Sequence, residues 1–437
     1  MPRTSRVIGD ISVNPEAFSI THVKIEADHF LFIDIKDLVQ QVQIYEDINK
    51  PFLEVVISIR DSTNFLEFSK LNGHEEVKLR IQRQAGGEEK DSKEKFELKL
   101  NIAEIFNYIR EEPGIQYYKL RCVSPHLYNS QTKALRRSFE GSIGKLVKDI
   151  CDKDLKIENF KINTDTQEVI KGIYPTLRPI HAINWLLRNA YDNGTPYYFY
   201  ETTQDGIQFN SLENLMNEDV FREYEFKPFY EFEMGSKEAY DEQARRINVF
   251  GSELGMSKLE GMANGSYAST LHTLDIAKKE YKKDFFNYDS SNPKKINKNK
   301  PFTDRTKFAD RKLSDLKEGK HYFVSRNTSA YPSHKNYHEP NHITLMKAQS
   351  HLSTMNFMTH NFSIAGDFRM TVGKKVKLKI IKASDMIEQD NPTVPLDKFI
   401  GDNYLVTSVT HIIGPENYTM QLKVQKDSVE KEIEIGS

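Results

Sequence analysis

Near its C-terminus the chain writes one two-residue alternation three times, and this limits what it can fold into. Val376, Leu378 and Ile380 alternate with Lys375, Lys377 and Lys379. Leu405, Thr407 and Val409 alternate with Val406, Ser408 and Thr410, and Tyr418, Met420, Leu422 and Val424 alternate with Thr419, Gln421 and Lys423. A period of two puts successive side chains on opposite faces of a strand, so each run reads as a half-buried strand. Gly414-Pro415-Glu416-Asn417 is a turn cluster between the last two. The stretch Phe368 to Lys426 therefore predicts an antiparallel unit, a small barrel or curled sheet.

A weaker copy lies in the first third. Gly73 to Ile81 parallels Gly373 to Ile380 apart from one extra residue. Phe96 to Ile102 takes the place of Tyr404 to Thr410, and Glu112-Pro113-Gly114 that of the Gly414 turn. Tyr118, Leu120 and Cys122 then stand against Tyr418, Met420 and Leu422. Strands share composition, so one match means little; the common order of all of them argues for a duplicated β domain over two unrelated meanders.

The chain has 437 residues, room for two to four domains. Residues 7–125 read as the first β domain, with strands at Phe30–Ile35 and Phe52–Ile59 and a charged loop from Ala85 to Lys95. Residues 126–226 read as an α+β insertion. Ile143, Leu146, Val147 and Ile150 recur at helical spacing behind Ser142 as N-cap. A second helix opens at Pro179 with the stripe Ile183, Leu186, Leu187 and Ala190, and Trp185 beside it. A hairpin follows, with Asp205-Gly206 at its turn. Residues 227–255, with short strands at Tyr230–Met234 and Arg246–Phe250, and residues 341–428 make the second β domain. The helix expected at 341–357 carries Leu345, Ala348, Leu352 and Met355 on one face. Residues 256–340 read as an inserted, loop-rich basic segment with helix near Tyr281, and 429–437 as a charged tail.

No enzyme motif is present: no G-x-S-x-G, no phosphate-binding G-x-x-x-x-G-K-[ST], no H-E-x-x-H, and no G-x-G-x-x-G after a strand. The two cysteines, Cys122 and Cys151, make neither a disulfide framework nor a C-x-x-C zinc site. His334, His338 and His342 are spaced four apart, but Pro332 and Pro340 oppose the continuous helix that a metal site would need, so no metal or other cofactor is expected. No secretory signal and no run of apolar residues long enough for a membrane span are read, which predicts folding in a reducing cytoplasm and no membrane insertion. The net charge of −2 gives no global bias towards nucleic acid. One local bias exists: from Lys278 to Lys312, 12 Lys and Arg face 5 Asp and Glu. Within it Lys294, Lys295, Lys298 and Lys300 are candidates for a partner or phosphate contact, though no aromatic is interleaved with them.

In domain order the chain resembles the central hub protein of contractile-tailed bacteriophage baseplates, in the broader family of late control protein D and the N-terminal part of the VgrG spike proteins. Four stretches carry the resemblance. They are Ile59-Arg-Asp-Ser-Thr-Asn-Phe-Leu66 leading to Gly73 and Glu75; Ser142–Ile150 with Pro179–Leu187 and the Tyr197–Phe209 hairpin; the helix at 343–356 running into Asn361–Phe368 and Gly373; and Gly401–His411 with Tyr418–Ser428. The last is similar to the family's Y-x-V-x-x-V-x-H … Y-x-x-x-L-x-x-x-K-D-S ending and is the most specific. Residues 256–340 have no counterpart.

The resemblance implies a mainly β chain with α+β insertions, holding two similar small antiparallel β-barrel, tail-tube-like domains plus an α+β domain. It implies no enzymatic activity. It also implies a homotrimer that adapts a six-fold tail tube to a three-fold central spike, touching tube protein, spike protein and other baseplate proteins, with DNA only as cargo in the lumen. Its place would be the virion tail baseplate, assembled in the host bacterial cytoplasm. The alternatives are a tail-associated peptidoglycan hydrolase and a tail protein that contacts nucleic acid.

Overall fold

The structure is a computed structural model. It describes residues 18–429 except 28–29, 84–94, 113, 192–193, 227–242, 255–257, 277, 292–293, 298–306, 309, 317, 327–341, 382–395, 398 and 416. The expected strand at Tyr230–Met234, nearly all of the charged loop after Ala85 and most of the tail lie outside the described residues.

The first half contributes β1 Phe18–Ala27, β2 Phe30–Asp34, β3 Val39–Asp47, β4 Glu54–Asp61, β5 Glu76–Arg83, β6 Lys95–Glu112 and β7 Ile115–Val123. They run β3-β4-β7-β6-β5-β1-β2, antiparallel throughout.

The middle of the chain builds β8 Ser138–Ser142, β9 Phe160–Ile162, β10 Val169–Ile173, β11 Tyr197–Thr202 and β12 Gly206–Ser211 around the helices Pro125–Gln131, Ile143–Ile150 and Pro179–Leu187. It has its own apolar core, in which Val147, Ile150, Ile183, Leu186 and Phe209 are fully buried. Ser142 does stand at the N-cap of Ile143–Ile150, but its hydroxyl turns away and donates to Asp165 Oδ2 at 2.5 Å. The free N–H groups of the first turn are taken instead by Thr166 Oγ1, from Ile143, and Asp165 Oδ1, from Gly144, both at 2.8 Å.

The second half begins with β13 Val220–Phe226 and β14 Val249–Leu254. An inserted unit follows: β15 Ala268–Asp275, β16 Glu280–Asn287, the two-residue strands β17 Lys307–Phe308 and β18 Arg311–Lys312, and β19 His321–Arg326. The helix His342–Met355 and β20 Met358–Ala365, β21 Lys375–Ile380, β22 Asp402–Ile413 and β23 Tyr418–Lys426 complete it. Tyr281 is in β16, not in a helix. Tyr281, Lys283 and Phe285 alternate with Lys282, Asp284 and Phe286, a period-two row of β-prone aromatics that the dense charge disguises. The helix His342–Met355 buries Met346, Ser350, His351 and Thr354 as well as Ala348 and Met355, while Leu345 and Leu352 are only half-buried. It is enclosed on more sides than one apolar stripe predicts.

The second half runs β14-β20-β23-β22-β21-β13. Strand for strand this is the order β3-β4-β7-β6-β5-β1, with one change: β1 meets β5 antiparallel, whereas β13 meets β21 parallel. The ladders also fix which residues correspond. Ile102 N–H donates to Glu75 O, and Ile102 O accepts from His74 N–H; Val406 does the same with Lys374 and Gly373. Ile102 pairs with Cys122, and Val406 with Val424. A bulge follows each, at Ile102–Glu104 and Val406–Ser408. The first strand match, Val77 to Val376, agrees with these ladders. The second is out by four residues and the third by two, because strands of like composition match equally well at even shifts, which keep the same faces together. The bulge at Val406–Ser408 leaves Thr407 outside the alternating row expected for it.

The chain is mainly β with α+β parts, as the resemblance implies. No ladder among the described residues closes either half, and β22 pairs with β3 from Ser408–Asp47 to Ile413–Val42, so the halves make one sheet of 13 strands. Curling brings their far parts together. Phe96 of β6 packs on Phe368 and His411 (ring centroids 4.6 and 4.9 Å), and Phe18 of β1 on Tyr418 (5.6 Å). A single apolar core runs through both halves, from Val23, Ile44, Ile57 and Leu120 to Val376, Val409, Leu422 and Val424. Each such buried side chain contributes about 1.5–3 kcal/mol.

Candidate interaction surfaces

The two halves and the middle of the chain meet at Glu46. In β3, Val42, Ile44 and Glu46 share one parity and all three have no exposed surface. The carboxylate is answered by backbone: Glu46 Oε1 accepts from Thr203 N–H at 3.0 Å, just past β11, and Oε2 from Val372 N–H at 3.1 Å, before β21. His411 Nε2 lies 3.5 Å from Oε1, and His411 Nδ1 meets the Tyr418 hydroxyl at 2.8 Å. One side chain thus fixes three parts of the chain. Next to it β11 touches both halves. Glu201 Oε2 accepts from Leu53 N–H at 3.0 Å, and the Tyr200 ring closes over Gly373. Burial pushes the Glu201 carboxyl up to about 7.

Lys426 ends the buried row Tyr418, Met420, Leu422, Val424 and is itself fully enclosed. Its Nζ donates to Phe399 O at 2.7 Å, lies 3.5 Å from Asp402 Oδ2 and sits 4.8 Å above the Tyr404 ring. Burial pushes it down to about 8 against the pull of Asp402. Beside it the basic segment is tied to the body. Ile296 N–H donates to Asp427 Oδ1, Asn297 N–H to Ser428 Oγ, and Asn297 Nδ2 to the carbonyls of Asn403 and Ser428, at 2.9–3.1 Å. Burial raises Asp427 to about 6, partly offset by its bonds to Ser428 and Ile296.

Of the four candidate lysines, Lys294 is exposed and ion-paired with Glu213. Lys295 is half-buried beside Asp427, and Lys298 and Lys300 lie outside the described residues. The run from Lys294 to Asn297 joins the end of β23, the start of β22 and the helix Leu212–Asn217.

The inserted sheet, ordered β16-β15-β19, buries one face against the helix His342–Met355 through Leu271, Phe286 and Met346. Directly paired residues share a face. The pairs Leu274–Tyr281, His272–Lys283, His272–Phe323 and Thr270–His321 therefore lie on the side away from the helix. There Tyr281, Phe285 and Phe323 are exposed, as are Leu274 and the adjoining Ile276. A second exposed apolar tip is Tyr108–Ile109 on β6.

The described residues hold no group of three His, Cys, Asp or Glu placed to share a metal. His334 and His338 fall outside them, and His342 is described only as the first residue of its helix. Burial raises the Cys122 thiol to about 12, and Cys151 is raised the same way. Burial lowers His351 and His360 to about 4 each. No described helix is long and apolar enough to cross a membrane.

The sequence reading did not single out Glu46 or His360, and took His411 and Lys426 only as positions of the resembled ending. The signal was present: each is a polar residue at the core parity of an otherwise apolar strand row.

No family model and no curated protein matches this chain. Solved structures do. The tail protein from Neisseria meningitidis MC58 superposes with a TM-score of 0.55 at 10% identity, over 94% of this chain and 97% of that one. The prophage MuSo2 43 kDa tail protein from Shewanella oneidensis gives 0.51 at 7% identity, over 92% and 97%. The fold is thus the fold of these two tail proteins, nearly end to end, as the resemblance implies.

Proposed function

We propose that this chain is a non-enzymatic structural protein of a phage or phage-like contractile tail, namely the baseplate hub between tube and spike. The observation that carries this reading is the repeated strand order, β3-β4-β7-β6-β5-β1 and β14-β20-β23-β22-β21-β13, joined where the edge strand β3 pairs with the C-terminal part of β22. The tail-protein fold supports it. A homotrimer of such a chain offers about six near-equivalent units to a six-fold tube, while the middle and inserted parts repeat only three-fold and suit a spike. Contacts would come from broad surfaces and open strand edges rather than a pocket. The non-enzymatic reading is supported by the use made of Glu46, Lys426 and Asp427, whose charges are spent on packing contacts. Partners would be tube protein, spike protein and other baseplate proteins, in the virion tail after assembly in the host cytoplasm, with DNA passing as cargo.

The test is co-purification of the full chain with candidate tube and spike proteins, with the mass read by light scattering. Assemblies built on three copies are expected. A chain that binds neither protein overturns the reading.

A further inference from the structure

The hub role leaves the Lys278–Lys312 segment without a task, and the structure sets part of it beside rings that the linear sequence keeps apart. We propose that the open face of the β16-β15-β19 sheet is a platform for single-stranded nucleic acid.

The rings form a row across strands. His272 stacks on Phe323 with centroids 4.6 Å apart and planes 10° apart, and on Tyr281 at 5.8 Å and 26°. The row's outer members are open to solvent, Phe323 at 77% and Tyr281 at 61%. A base can extend such a row by stacking on an outer ring, whatever its identity. Charge on this face has the sign that phosphate requires. Lys283 stands 5.1 Å over the Phe285 ring on the same side, and Lys278 and Lys279 flank the turn into β16. The strand carboxylates Asp275 and Asp284 belong to the parity that faces the helix, since Asp284 pairs with Leu271. Among the described residues Glu318 is an acid at the rim, 3.2 Å from His321 Nε2 and 4.0 Å from Lys283. Stacked rings beside a lysine, on a three-stranded sheet open on one side, are the elements by which sheet domains hold unpaired bases. An acidic protein surface would use the lysines but gain little from the ring row.

The test is fluorescence anisotropy of a labelled oligothymidylate of about 16 nucleotides with the full-length chain, over a salt series. Saturable binding is expected, weakening as salt rises with a log–log slope of about −0.7 per phosphate contacted. Phe323→Ala and Tyr281→Ala should each weaken binding about ten-fold, and Lys283→Ala should reduce the slope by about 0.7. Phe68→Ala, which removes an equally exposed ring from the first half, should change nothing. Because Phe323 and Tyr281 are exposed, their variants should keep the parent's thermal melt, which shows that any loss is not unfolding. Oligonucleotide binding that survives both ring substitutions overturns the proposal. So does an absence of binding at low salt. Equal competition by duplex DNA and polyglutamate would also overturn it, and would assign the face to an acidic protein instead.

Discussion

The two halves of the large sheet repeat one strand order but are filled differently. In the first, the rows of β5 and β7 are apolar at Val77, Leu79 and Ile81 and at Leu120 and Cys122, while those of β3 and β4 end on the buried carboxylates Glu46 and Asp61. In the second, β20, β22 and β23 admit the buried bases His360, His411 and Lys426, each held by a named partner: Tyr404, Tyr418 and Phe399 O. An apolar interior needs only volume and pattern, and tolerates rearrangement. Buried polar pairs tolerate one register, because an unmade bond leaves a desolvated group behind. The half with the buried bases also meets the strap at 294–297 and the inserted sheet, while both halves meet the middle of the chain.

The comparison can be broken at its joint. Glu46→Ala removes the carboxylate that binds both halves and β11, leaving the Thr203 and Val372 N–H groups unanswered. A loss of about 3–5 kcal/mol is expected in denaturant unfolding; a loss below about 1 kcal/mol would mean that the joint lies elsewhere.

The middle strand can be uncoupled from the first half by pH. Glu201 has its folded pKa raised to about 7 from 4.5. Its contribution is therefore complete below pH 4.5 and is lost as pH rises through about 7, a difference of about 3 kcal/mol. Glu201→Gln should flatten the stability curve across that window and be the more stable form at pH 8. A variant whose curve still falls between pH 4.5 and 7 would assign the titration to another group.

The glycine turns sharpen the contrast. Gly373 has φ +85°, and a Cβ there would stand 2.7 Å from the Tyr200 hydroxyl and 3.3 Å from Leu215 Cδ2. Gly73 has φ +84°, but a Cβ would meet nothing nearer than 3.8 Å. Gly373→Ala should cost about 2–3 kcal/mol and Gly73→Ala about 1 kcal/mol, by chemical denaturation. Equal losses would deny that β11 is packed on the second turn. The smallest effect is a gain. His74 occupies the ladder position of Gly373 with φ +91° and is exposed. His74→Gly should raise stability by about 0.5–1 kcal/mol, measurable as a higher urea midpoint.

Much of this was legible from residue order. Period-two rows announced β5, β21 and β23, and Gly73 and Gly373 marked where each meander begins. Pro179 and the Asp205-Gly206 turn located the middle elements. What was illegible depends on contacts between distant parts. The spacing of Ser142 suggested a cap that Asp165 and Thr166 supply instead. The strand at Tyr281 was hidden by the alternating charges of Glu280 to Asp284, which suit an exposed helix equally well. Register was lost because alternating strands match equally well two or four residues apart. The polar residues of the joint were visible as exceptions to a row, but only the assembled sheet shows that Glu46 faces Thr203, Val372 and His411.

The central claim is that two unlike copies of one strand order act as equivalent units in a trimer. Averaged electron-microscope views of the purified chain, alone and with candidate tube and spike proteins, test it most directly. A ring of about three times 50.8 kDa, with six similar densities on one face and three on the other, is the predicted result. A chain that remains a 50.8 kDa monomer with both partners present, or a ring without the six-part face, would contradict it.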